Sequence, residues 1–147
     1  MPPHTRHLPR SVVLPLLTTL SVSFLVGALT HAGVRLPLGF TTIDEPTIVP
    51  AAIVEGIISA GFAVAAFAEL TRSRYARLAF RLSLRLGIAG VLLGMLALAL
   101  GRGPRTELND VFHVAVLIVM LLAVRLTWTM GPGGGCRAGR RLARRAA

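Results

Sequence analysis

The chain has 147 residues, of which 54% are hydrophobic and only 15% are charged, and its mean hydropathy is +0.71. Soluble domains are typically about 25% charged, so these values exclude an ordinary water-soluble domain, a disordered chain and a collagen-like one. Cys136 is the only cysteine, which excludes an internal disulfide and a zinc site built from cysteines. The length and composition together indicate a small, single-domain membrane protein with several spans.

All 16 basic residues are arginine, and the formal net charge is +10. A pI near 11.9 is compatible with nucleic-acid binding, but the arginines flank apolar segments that are long enough to cross a bilayer. We therefore expect no nucleic acid as a partner. The expected partners are membrane lipids, including anionic headgroups.

Four apolar segments reach the roughly 20 residues that a membrane-spanning helix needs. Because lipid cannot satisfy free backbone groups, each segment is expected to be helical, which predicts an all-α integral membrane protein with a four-helix bundle. The predicted spans are about 11–29, 48–70, 82–101 and 111–130. A basic N-terminus, 1–10, precedes this membrane domain, 11–130, and a flexible, glycine-rich basic tail, 131–147, follows it.

The placement of the arginines predicts the orientation. Twelve of the 16 lie in the two tails and around the second connection, which share one side of a four-span protein; the opposite side has Arg35, Arg102 and Arg105. Arginine-rich segments stay cytoplasmic, so we predict a multi-pass protein of a bacterial inner membrane with both termini cytoplasmic and a longer first outer loop at 30–47. Cleavage of the first apolar segment as a signal peptide is an alternative, although its apolar region of about 19 residues exceeds the usual 7–15.

Three ionisable residues are expected near the outer mouth of the bundle. Glu55 lies about 10 Å below the outer boundary in the second span, His113 lies near the same depth in the fourth, and His31 closes the first. An unpaired buried carboxylate would be prohibitive, so Glu55 is predicted to face the interior within hydrogen-bond or one-water reach of His113. This trio is a candidate site for a divalent metal, a haem or a proton; the plainer alternatives are a structural tie between helices and unlinked interfacial residues.

Two further features are predicted at the inner end. Glu69 and Arg125 both lie near the inner headgroups and are predicted to form an ion pair. Four arginines at three- and four-residue spacing are predicted to form a basic stripe that faces lipid headgroups at the foot of the third helix. They are Arg74, Arg77, Arg81 and Arg85.

The chain has no HExxH, CxxC, GxSxG or P-loop motif and no large soluble domain, so no catalytic residue is predicted. The leading hypothesis is a non-enzymatic accessory or structural membrane protein. One alternative is a membrane protein with an outer-side metal, haem or proton site at Glu55, His113 and His31. Another is a transporter subunit, which would need a second copy of the chain or another membrane partner because four helices enclose little space.

Overall fold

The computed structural model describes residues 8–37, 39–40 and 42–129, so the glycine-rich tail and most of the basic N-terminus lie outside the described residues. The predicted all-helical fold is confirmed within those ranges, apart from one pair of two-residue strands: β1 (Leu36–Pro37) pairs antiparallel with β2 (Thr42–Ile43). Each of the four helices is long and apolar enough to cross a membrane. They are α1 (Arg10–His31), α2 (Val49–Leu70), α3 (Ala76–Ala99) and α4 (Glu107–Thr129).

The third and fourth helices extend beyond the predicted spans at their N-terminal ends. α3 starts at Ala76 rather than near residue 82, because arginine is a good helix former and the helix continues through the basic stripe. α4 starts at Glu107 rather than near residue 111. Thr106 caps it by accepting a 3.2 Å hydrogen bond from the Asn109 backbone N–H through its hydroxyl. Apolar content therefore located the spans but not the polar first turns of these helices.

The four helices run alternately up and down and share one core. The extensive helix interfaces join α1 to α2, α2 to α3, and α3 to α4. Fully buried side chains from all four helices meet at the centre, including Phe24, Phe62, Leu84 and Met120. The Phe24 ring stacks on Phe62 at 5.9 Å and meets Phe112 edge-on at 5.8 Å, so α1 also contacts α4 through aromatic rings.

Two serines clasp α1 to α2. The Ser21 hydroxyl donates to the Ser59 carbonyl at 3.0 Å, and the Ser59 hydroxyl donates to the Ser21 carbonyl at 2.8 Å. Small residues let two backbones come this close, and interhelical hydrogen bonds of this kind contribute about 0.6 kcal/mol each in membrane proteins. This clasp fixes the register of α1 against α2, and therefore the height of His31 relative to Glu55.

The bundle has two unlike ends. The loop end carries the connections 32–48 and 100–106; the arginine end carries the start of α1, the connection 71–75 and the end of α4. At the arginine end, the Arg10 guanidinium donates to the Leu70 carbonyl at 2.6 Å and satisfies the end of α2. At the loop end, His31 at the end of α1 lies beside Glu55 near the start of α2.

The helices α2 and α3 end with the same backbone motif but different residues. In α2 the Ser73 N–H donates to the Ala68 carbonyl at 2.9 Å, and α3 has the equivalent bond, also of 2.9 Å. This motif needs a residue in the left-handed region just after the helix. Gly101 takes that position after α3 with φ +68°, whereas Arg72 takes it after α2 with φ +55°.

Candidate functional site

Glu55, His31 and His113 form a cluster at the loop end, which we call the Glu55 centre. All three are buried, with 3%, 3% and 7% of their surface exposed. The Glu55 Oε1 atom lies 3.8 Å from His31 Nε2 and 3.7 Å from His113 Nε2, just beyond direct hydrogen-bond distance. The structure therefore brings together the three residues that the sequence placed at one depth.

Backbone carbonyls orient both imidazole rings. His113 Nδ1 lies 2.8 Å from the Asn109 carbonyl oxygen, and His31 Nδ1 lies 3.4 Å from the Pro46 carbonyl oxygen. A carbonyl only accepts hydrogen bonds, so each Nδ1 must carry the proton that is donated. In a neutral imidazole the other nitrogen, Nε2, is then an acceptor. Both rings consequently direct a nitrogen lone pair towards Glu55.

The Glu55 carboxyl group has no hydrogen bond of its own. Both of its oxygens are fully buried and without a partner among the described residues. An ionised carboxylate in such a place costs several kcal/mol unless it is paired. With both Nδ1 atoms protonated, one further proton makes the Glu55 centre neutral overall, whether the proton is on the carboxyl group or on an imidazole. Burial therefore favours the state with one shared proton.

A cavity of about 190 Å³ opens beside the Glu55 centre between α2, α3 and α4. Its polar and charged lining residues are Asn109, the three residues of the centre and Arg102, which is exposed. The remaining walls are mostly apolar and include Val54, Val91 and Leu98. The cavity thus gives the centre a route to the exterior of the bundle at the loop end.

A second, smaller cavity of about 110 Å³ lies on the α1 side of the centre. Glu55 and His31 line it together with Thr30, Glu45 and Phe112. The carboxyl group of Glu55 therefore lies between two cavities rather than in solid packing.

A chain of polar contacts connects the first loop to the Glu55 centre, and the sequence analysis missed it. The Thr106 hydroxyl donates to Glu45 Oε2 at 2.8 Å while accepting from the Asn109 N–H. The Asn109 carbonyl in turn holds His113. The Thr-x-x-Asn pattern before an apolar run was a usable helix-start signal, but nothing in the sequence showed which carboxylate Thr106 would bind.

Gly27 makes room for the Glu55 carboxyl group. A Cβ atom at this position would lie 2.6 Å from Glu55 Oε2, closer than any ordinary contact. Gly27 lies one helical turn before His31, so both residues share a face of α1. The four-residue spacing between Gly27 and His31 is the signal in the sequence that points to this contact.

Metal and haem chemistry find no support in the geometry. Among residues 8–37, 39–40 and 42–129, no group of three or more His, Cys, Asp or Glu side chains is arranged to hold a metal ion. The cavity of about 190 Å³ is also smaller than the roughly 300–1,000 Å³ of typical ligand pockets, so a haem does not fit.

The predicted inner ion pair does not form. No ion pair joins Glu69 to Arg125 among the described residues, because α2 and α4 share no extensive interface. The prediction rested on the similar depths of the two residues. It took no account of the direction in which each side chain points around its helix. Glu69 instead lines an open cavity of about 370 Å³ with Arg10, Arg72 and other arginines, and Arg125 is exposed.

The four stripe arginines are all exposed, as a headgroup-facing stripe requires. Arg74 also lies over the Tyr75 ring, 4.6 Å from its centroid. The other three, Arg77, Arg81 and Arg85, lie on the first turns of α3. Contact with lipid remains a prediction.

A scan against protein-family models, a search of curated proteins and a search of solved structures found no match to this chain. Its function is therefore inferred from the chemistry of the Glu55 centre.

Proposed function

We propose that the chain is a four-span protein of a bacterial inner membrane whose Glu55 centre reversibly binds one proton from the outer side. Its role is that of an accessory membrane protein that responds to protonation, not of an enzyme. Large apolar side chains on the outside of the helices support the membrane location; Val64, Phe67 and Val111 are 64–66% exposed. Surfaces of this kind are liabilities in water and suit lipid.

The arginine distribution supports an orientation with both termini cytoplasmic. A reporter that is active only in the periplasm should be silent when fused after Ala147, and a reporter that is active only in the cytoplasm should work there. The opposite pattern would place the loop end on the cytoplasmic side. The proton would then enter from the cytoplasm.

One observation carries the proton-binding proposal: a fully buried carboxyl group, without a hydrogen bond to any residue that the structure describes, lies 3.7–3.8 Å from two imidazole Nε2 atoms. Because His31, Glu55 and His113 belong to α1, α2 and α4, a change in their shared charge alters the attraction between three helices at once. Such interactions are strong where water is scarce. Proton binding is therefore coupled to how the helices pack at the loop end.

Other charged groups near the centre are few. Glu45 faces the smaller cavity and is held by Thr106. Arg102 lines the larger cavity, and Asp110 is paired with Arg105 at 2.6 Å. None of these groups lies between Glu55 and the two imidazoles.

Replacing Glu55 by Gln tests the proposal, because glutamine keeps the size of the side chain and cannot ionise. We expect the wild-type protein in lipid nanodiscs to show an infrared carbonyl band of a protonated, buried carboxylic acid that changes with external pH. The band should be absent in Glu55→Gln, while the unfolding free energy changes by about 1 kcal/mol or less.

Glu69→Gln is the matched control, because it removes a carboxyl group from the same helix at the open arginine end. It should leave the buried-acid band intact. A pH-dependent band that is unchanged by Glu55→Gln would contradict the proposal, and so would a wild-type protein in which neither the carboxyl band nor the imidazole bands of the trio change with external pH.

A further inference from the structure

Three acceptor atoms that lie close together belong to residues lining the larger cavity. These are Glu55 Oε1, His31 Nε2 and His113 Nε2, and each nitrogen lies 3.7–3.8 Å from the oxygen. A water molecule has two O–H donors, whereas a primary ammonium group has three N–H donors and a positive charge. We infer that the cavity of about 190 Å³ binds a small organic cation, with a primary ammonium group at the Glu55 centre and a compact apolar body against the cavity walls.

Buried, unsatisfied acceptors point to a cationic ligand. Both Glu55 oxygens are buried without a partner, and an ammonium group would satisfy Oε1 with a charge-assisted hydrogen bond. The same group would donate to the two imidazoles, whose Nδ1 atoms are already committed to backbone carbonyls. An anion would instead meet three acceptors and be repelled.

The size and lining of the cavity determine the size and polarity of the part of the ligand beyond its ammonium group. A dry cavity of about 150 Å³ is enough to bind benzene, so about 190 Å³ holds a benzene-sized body and a few more atoms. The walls beyond the polar end are chiefly aliphatic, with Ile58, Val91 and Leu93 among them. Such walls suit an apolar body and leave water-soluble polar groups without partners.

Charge at the loop end also favours a cation. Acidic residues outnumber arginines there even without Glu55, and Arg35 and Arg105 are each paired with an aspartate. Arg102 is the arginine that lines the cavity, and its exposure lets solvent screen its charge. The acids at this end are Asp44, Glu45, Glu107 and Asp110.

The inference rests on the proposed proton-binding function, because one site holds either the proton or the ammonium group. When the cation binds, the shared proton leaves to the buffer and the Glu55 centre keeps the same total charge. Binding should therefore release about one proton per cation. One proton is released per bound cation because the proton and the ammonium group would be two positive charges in one small buried space, where they repel each other.

Benzylamine is a suitable probe because it joins a primary ammonium group to a benzene ring. We expect calorimetry on the wild-type protein in nanodiscs to show saturable binding of benzylamine, with proton release revealed by buffers of different ionisation enthalpy. Benzyl alcohol, which has the same shape without the charge, should bind at least tenfold more weakly, and benzoate should not bind. Equal affinity for benzylamine and benzyl alcohol would overturn the inference.

Two glycines provide a matched pair of variants that separates cavity binding from partition into lipid. A Cβ at Gly94 would lie 3.6 Å from His113 Nε2, so Gly94→Leu places a side chain in the cavity. Gly56 has nothing within 4 Å of an added Cβ, so Gly56→Leu leaves the cavity open. We expect at least a tenfold loss of benzylamine affinity in Gly94→Leu and little change in Gly56→Leu; equal binding by both variants would overturn the inference.

The infrared and calorimetric experiments test the two proposals separately. If Glu55 carries the proton but benzylamine binds no better than benzyl alcohol, the cation site is wrong and the proton-binding proposal stands. If benzylamine binds selectively and Gly94→Leu abolishes it, yet neither Glu55 nor the two imidazoles change protonation with external pH, the cation site stands and the proton-binding proposal is wrong. Binding of Zn²⁺ by the trio without binding of benzylamine would overturn the cation site in favour of a metal.

Discussion

Glu55 and Glu69 belong to the same helix, and their spacing puts them within about 40° of each other around it. The structure nevertheless gives them opposite surroundings. Glu55 is 3% exposed and lies between two imidazoles, whereas Glu69 is half-buried at an open cavity lined by arginines. The same residue type on nearly the same helix face is therefore a buried centre at the loop end and a solvated charge at the arginine end.

The difference comes from what the neighbouring helices supply. At the loop end α1 and α4 each contribute a histidine whose ring is held by a backbone carbonyl. At the arginine end the nearby groups are long arginines that reach outward, with Arg10 bonded to the end of α2. Depth along a helix therefore does not decide the role of an ionisable residue; its contacts with the other helices do.

The sharpest way to test this contrast is to reverse the charge at each end. Glu55→Lys buries an ammonium group in the chain itself next to two imidazoles, which should lower the unfolding free energy by about 3 kcal/mol. Glu69→Lys changes a group that solvent can reach and should lower it by about 1 kcal/mol or less. Unfolding in mixed micelles, followed by circular dichroism, measures both values.

Similar losses for the two lysine variants would show that the two ends do not differ as described. Glu55→Gln and Glu69→Gln supply the neutral controls, because each removes the carboxylate without adding a positive charge. The loss specific to a buried positive charge is the difference between the lysine and glutamine variants at one position.

Apolar runs were sufficient to predict the four helices, because a stretch of about 20 apolar residues has few alternatives. The depth argument also grouped Glu55 with His31 and His113. It failed for Glu69 and Arg125, because a helix pattern fixes depth but not which neighbouring helix each face meets. The carbonyl contacts of the two histidines depend on a loop and a helix cap, and no periodicity in the sequence encodes those.

Two glycines near Glu55 allow a test with a smaller expected effect. One lies in tight packing against Glu55 and the other lies beside open space. Gly27→Ala places a Cβ where Glu55 Oε2 now lies, at 2.6 Å, so the carboxyl group has to move away from α1. We expect a loss of about 1–2 kcal/mol in unfolding free energy, together with a shifted infrared band of Glu55. Gly56→Ala adds the same methyl group in open space and should leave the stability unchanged or slightly raised.

The infrared band distinguishes displacement of Glu55 from general overpacking. If Gly27→Ala destabilises the protein but leaves the band unchanged, the carboxyl group does not rely on the space at Gly27. If the two alanine variants behave alike, Gly27 has no special role in the Glu55 centre.

The smallest expected effect compares the ends of α2 and α3, which use one backbone motif at opposite ends of the bundle. Arg72 holds the left-handed position after α2 with φ +55°, where Gly101 serves after α3 with φ +68°. A left-handed conformation costs a non-glycine residue roughly 1–2 kcal/mol, and replacing that residue by glycine removes this cost. Glycine also has more conformational freedom in the unfolded chain, which offsets part of the stabilisation. Arg72→Gly should therefore raise the unfolding free energy by up to about 1 kcal/mol.

Arg72→Ala separates the backbone effect from the loss of charge, because alanine removes the guanidinium group and keeps the Cβ atom. It should not stabilise the protein, since the strain at φ +55° persists. Gly101→Ala introduces that strain at the loop end and should lower the unfolding free energy by about 1 kcal/mol. Equal stabilisation by Arg72→Gly and Arg72→Ala would instead assign the effect to relief of arginine repulsion around Arg10, Arg74 and Arg77, and the two helix ends would then differ in charge rather than in backbone strain.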